Sequence, residues 1–102
     1  MEKIISGYFK TNHAMLRQWQ RGIDDRLLEI ILRIFHPNPR RKVLLVLPSD
    51  RLLDIAKKLR MEKSIPVHED LVLVMKHHTI YTMFFQPEGK RTPENYRCRK
   101  RN

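Results

Sequence analysis

Apolar residues recur along this chain with two different periods. Ile4, Ile5, Tyr8 and Phe9 make the stretch from Lys3 to Phe9 read as a first strand, with Gly7 as a bulge. From residue 12 the period becomes helical. Met15, Leu16, Trp19 and Ile23 recur at that spacing and predict the buried side of a short helix. Thr11 or Asn12 is placed to cap it, because a side-chain oxygen there accepts from backbone N–H groups that lack a helical partner. Gly22 permits a left-handed stop.

A second helix opens at Asp24 and Asp25, where carboxylates suit the positive end of the helix dipole. Leu27, Leu28, Ile30, Ile31, Leu32, Ile34 and Phe35 make it apolar nearly all round, the pattern of a central core element. His36-Pro37-Asn38-Pro39 ends it, since two prolines forbid continuation. The unbroken run Val43 to Leu47 predicts a buried strand. Pro48-Ser49 starts a third helix with Ser49 as its cap, Leu52, Leu53, Ala56 and Leu59 facing inward and Arg51, Lys57, Lys58 and Arg60 facing water. A loop around Pro66 follows over 62–70. Leu71 to Met75 and Ile80 to Phe85 read as two strands joined near Lys76-His77-His78-Thr79, a joint without the Gly or Asn that tight hairpins prefer.

This order predicts an α+β fold: a small antiparallel β-sheet with the N-terminal helices packed on one face and an extra helix inserted between strands. A chain of 102 residues forms one domain, here expected over 1–86, with a basic flexible tail at 87–102.

The net charge of +10 changes the picture most. The tail holds six basic and two acidic residues, leaving fifteen and nine in the rest, so the excess is not confined to the tail. A basic domain of this size points to nucleic acid, an anionic membrane or an acidic protein. No segment pairs a lysine-rich face with a broad apolar one, which disfavours the membrane, and no apolar run approaches a bilayer's thickness. The chain is therefore expected to be soluble and cytoplasmic. Its one cysteine, Cys98, excludes a disulfide framework.

Chemistry concentrates in three places. His13, Arg17 and Arg21 lie one turn apart along the first helix, roughly opposite its apolar row at about 100° per residue. Metal-free RNA cleavage needs a base for the 2′-OH, an acid for the departing 5′-oxygen and cations around the phosphate. Imidazole titrates near neutrality, and guanidinium offers paired N–H donors that lysine lacks. The plainer reading is a partial cap followed by a solvated stripe. His77, with Tyr81 and Thr79 expected on one face of a strand and His78 on the opposite face by the period of two, forms a second candidate catalytic group; adjacent histidines also serve as simple turn residues. A metal site from His68, His77 and His78 lacks obvious co-ligands, so no metal or cofactor is expected. Arg40, Arg41, Lys42, Lys76, His78, Arg97, Arg99, Lys100 and Arg101 are the candidate nucleic-acid-binding residues. Trp19 is suited to stacking on a base, but its place in the apolar row argues for core packing.

The pattern His13-Ala14-x-x-Arg17-x-x-x-Arg21-Gly22-Ile23, followed by Asp24-Asp25, resembles small RelE-like domains of toxin type within the barnase–EndoU–colicin–RelE group of metal-independent RNases. The resemblance covers residues 3–35 and, more loosely, 71–85. It implies a toxin of a toxin–antitoxin pair, an endoribonuclease acting on RNA such as ribosome-associated mRNA and neutralised by an acidic antitoxin protein. The similar ParE-like domains bind a topoisomerase instead, so a non-enzymatic nucleic-acid-binding or topoisomerase-inhibiting protein of the same fold is the alternative. The third helix stands outside this pattern, and no C-terminal catalytic residue matches it.

Overall fold

Two sharp reversals set the shape of the sheet. A computed structural model describes residues 1–35, 37 and 40–89. In it the first apolar stretch is a hairpin rather than one bulged strand: β1 (Ile4–Ile5) pairs antiparallel with β2 (Tyr8–Lys10) across Ser6 and Gly7. Both turn residues have positive φ, 48° and 82°, the pattern that matches the twist of two-residue hairpins. The second reversal joins β4 (Glu69–Lys76) to β5 (Thr79–Pro87) through His77 and His78, at φ of 50° and 60°. This turn is as tight as the first, although neither residue is the expected Gly or Asn.

Between these hairpins lie α1 (Asn12–Arg21), α2 (Asp25–Phe35), β3 (Val43–Leu47) and α3 (Ser49–Lys58), followed by a short 3₁₀ turn at Glu62–Ser64. The sheet order is β1-β2-β5-β4-β3. The α+β class and the helix inserted between strands stand as expected. The purely antiparallel sheet does not, because β2 runs parallel to β5, with Phe9 opposite Thr79 and Lys10 opposite Ile80. A parallel pair requires a long crossover, and the whole of α1 to β4 supplies it.

Alternation along β4 sends Leu71, Leu73 and Met75 into the main core. They meet Leu27, Leu28, Ile31 and Leu32 of α2, Leu52, Ile55 and Ala56 of α3, and Ile80 and Met83 of β5. The second helix is not apolar-buried all round: Ile34 is exposed. Ser49 does not cap α3. Pro48 holds the cap position, and the Ser49 N–H is donated instead to Asp70 Oδ1 at 2.8 Å. The sheet continues to Pro87, and Gly89 N donates to Asp70 Oδ2 at 3.3 Å, so the described fold passes residue 86. No helix among the described residues is long and apolar enough to cross a membrane.

Candidate nucleic-acid interface

The rotation of α1 is set by a polar cluster that hydropathy conceals. Lys10 follows Tyr8 at the strand period of two, so both side chains point inward. Lys10 is completely buried. Its ammonium donates to Gln18 Oε1 at 2.8 Å and to Asp25 Oδ1 at 2.7 Å. Gln18, also buried, donates from Nε2 to Asp25 Oδ1 at 2.6 Å and to the Ile23 carbonyl at 2.9 Å. The Glu2 N–H donates to Asp25 Oδ2 at 2.7 Å. Burial works against charge on the Asp25 carboxylate, but these hydrogen bonds and the Lys10 charge outweigh it and lower its pKa to about 2.

With Gln18 and Ala14 turned inward, the row expected to be buried faces out. Trp19 is 72% exposed and Leu16 48%; Met15 is half-buried, and of that row Ile23 alone is fully covered. The core reading of Trp19 and Leu16 is therefore corrected. Gln18 makes hydrogen bonds in the interior that an indole at that position lacks the groups to make, and its fixed orientation decides which arc of the helix meets water.

The candidate stripe consequently does not lie opposite the core. At 100° per residue Arg17 flanks the buried line through Ala14 and Gln18, and it is half-buried. Its guanidinium donates to Gln20 Oε1 at 3.4 Å. His13 and Arg21 are exposed. The local frame is firm. Thr11, rather than Asn12, is the cap, its side chain accepting from Ala14 N at 3.0 Å, and Gly22 stops the helix at φ 64° with its N–H bonded back to Gln18 and Trp19 carbonyls.

His77 and His78 occupy the two central positions of a turn, so strand alternation does not assign them to opposite faces. Both are exposed, as is Lys76. Tyr81 lies off the regular ladder. Val74 pairs with Thr82 and Met75 with Ile80, which leaves Tyr81 as the extra residue of a bulge, 44% exposed. Thr79 and Tyr81 are the less covered residues on either side of buried Ile80, whereas His77 belongs to the turn and not to the strand.

Hydrogen bonds nevertheless gather these elements at one end of the sheet. Phe9 N donates to the His78 carbonyl at 2.7 Å, and Thr11 N to the Ile80 carbonyl at 3.1 Å. Thr11 Oγ1 donates to the Tyr81 carbonyl at 2.8 Å. The start of α1, which carries His13, is thereby tied to the strand that carries Tyr81 and to the turn that carries His77. On the far side of β4, Val43 pairs with Met75, so the exposed run Arg40, Arg41 and Lys42 enters β3 level with Lys76 and the histidine turn. Two strand spacings, roughly 10 Å, separate β3 from β5. No side-chain hydrogen bond or ion pair among the described residues joins His13, Arg17, Arg21, His77 and Tyr81 to one another.

Arg97, Arg99, Lys100 and Arg101, with Cys98, lie outside the described residues. His68 sits apart from the two turn histidines in the chain and contacts Glu88, Nδ1 to Oε2 at 3.1 Å. No group of three His, Cys, Asp or Glu side chains is disposed to hold a metal ion among the described residues.

Neither a protein family, a curated protein nor a solved structure matches this chain.

Proposed function

We propose that this domain binds RNA across the end of the sheet where the start of α1, the β4–β5 turn and the entry to β3 meet, and that it cuts the strand there without a metal. The single observation that carries the reading is this convergence. Three segments distant in sequence, holding His13, Lys76 to His78 and Arg40 to Lys42, reach one edge of the fold through the pairings of β2, β3, β4 and β5. A concentration of exposed cations and imidazoles on a chain of net charge +10 suits a polyphosphate.

In the proposed reaction the ribose 2′-OH attacks the adjacent phosphorus as its proton passes to an imidazole. The 5′-oxygen leaves with a proton from a second acid, and a 2′,3′-cyclic phosphate remains. His13 is assigned one proton transfer; His77 and Tyr81 are the candidates for the other. Arg17 and Arg21 steady the phosphate through N–H donors. The same reading makes the chain a cytoplasmic RelE-like toxin acting on RNA such as ribosome-associated mRNA, held in check by an acidic antitoxin protein that covers the cations.

The test is incubation of the purified chain with total RNA, with and without chelator. Chelator-resistant cutting that falls by roughly a hundredfold in His13→Ala is expected. Unchanged cutting in that variant removes His13 from the chemistry. Salt-dependent binding with no cutting leaves a nucleic-acid-binding protein.

A further inference from the structure

We propose that Trp19 is a stacking platform for an unpaired base, so that the substrate of this domain is single-stranded rather than duplex RNA; the proposal rests on the RNA reading above. The chain has one tryptophan, and the fold leaves it 72% exposed on a helix held at both ends. Its outward position is not looseness. Gln18, the residue before it, is fixed inside by hydrogen bonds to Lys10, Asp25 and the Ile23 carbonyl, and Gly22 N bonds to the Trp19 carbonyl at 3.2 Å. On such a frame the backbone beneath the indole needs no ordering when a ligand arrives.

The surroundings favour a nucleobase over a protein partner. Around the exposed arc of α1 the indole and Leu16 share the surface with Asn12, His13 and Gln20, all exposed and polar. The apolar strip is therefore narrow, whereas protein interfaces centre on a broader apolar core. The helix has no acidic residue, and Arg17 and Arg21 lie towards its other flank. At 100° per residue Arg17 and Arg21 lie about 160° around the helix from Trp19, so a strand with one base on the indole meets the guanidiniums through phosphates that follow the helix surface round to that flank. Bases inside a duplex are stacked on each other and present no free face to such a platform.

The lone indole supplies its own reporter. A short single-stranded RNA of mixed sequence is titrated into the full chain at low salt while indole fluorescence and, separately, anisotropy of a labelled strand are followed; the same strand annealed to its complement is the second ligand. Quenching by the single strand and not by the duplex is expected. Trp19→Ala should weaken single-strand affinity roughly tenfold and leave duplex affinity unchanged, with Trp19→Phe restoring most of the loss. Equal loss for both ligands, or single-strand binding untouched by Trp19→Ala, overturns the stacking role while the RNA reading stands. Absence of binding to either ligand overturns the RNA reading itself, and the stacking role with it.

Discussion

Lys10 Nζ lies 2.7 Å from Asp25 Oδ1, with the lysine side chain sealed from solvent and the aspartate about one-quarter exposed. One ion pair thus joins the last residue of β2 to the first of α2, with Gln18 of α1 wedged between them. The two partners are unequal. Removing the carboxylate strands a charge in the interior, whereas removing the ammonium leaves a carboxylate that still reaches water and keeps two other donors.

The substitutions should show that inequality. Asp25→Asn is expected to lower unfolding free energy by about 3–5 kcal/mol, since it leaves Lys10 buried without its countercharge. Lys10→Met should cost about 1–3 kcal/mol, the scale of polar partners left short of a hydrogen bond. Denaturant midpoints measure both. Equal losses would mean that Lys10 reaches solvent in solution.

Acid should find the same contact. The Asp25 pKa of about 2 lies below its ordinary value of 3.8, so the unfolded chain takes up this proton first as pH falls. The stabilisation is complete above about pH 4 and fades as pH drops towards 2, on the order of 2 kcal/mol in all. Stability measured over that window should fall less steeply in Asp25→Asn than in the parent chain. Parallel curves would show that Asp25 is not a source of the acid sensitivity.

The histidine turn invites a two-sided experiment. His77 and His78 both sit at positive φ, where a side chain is crowded by the backbone and glycine or asparagine fits better. The double replacement His77→Asn with His78→Gly should raise stability by about 1 kcal/mol. If His77 handles a proton, RNA cutting falls in the same protein. A more stable variant with full cutting would release the turn from the chemistry.

Arg17 and Arg21 make a prediction in salt. Each phosphate contact to a single strand releases counterions, so log affinity falls with log salt by about 0.7 per contact. Replacing both arginines by alanine should flatten that slope by roughly 1.4 for single-stranded RNA. A slope that does not change would place the phosphate elsewhere, with the β3 entry residues as the next to test.

Local signals were legible wherever a short stretch decides its own conformation. Thr11 and Gly22 bracket α1 because a hydroxyl acceptor and a Cβ-free residue suit those two positions whatever surrounds them. Val43 to Leu47 forms a strand, as its unbroken apolar run predicts, but at the edge of the sheet, where Leu47 alone of the five is fully buried. The histidine turn was less legible: His77 and His78 lack the usual signature, and the pairing of Lys76 with Thr79 forces them into it. Tyr81 escaped for a related reason, because a bulge is a mismatch between two strands and neither strand displays it alone.

The amino-acid order by itself determined the α+β class, the places of the helices and longer strands, and the basic character of the molecule, since period, caps and charge act over a few neighbouring residues. Tertiary structure alone decided that β2 lies parallel to β5, through partners as remote as Phe9 and Thr79, and which side of α1 is hidden. Hydropathy ranks Trp19 above Gln18 for burial. The fold reverses them because a buried amide with partners in Lys10, Asp25 and the Ile23 carbonyl is satisfied, and those partners meet only once the chain has closed on itself.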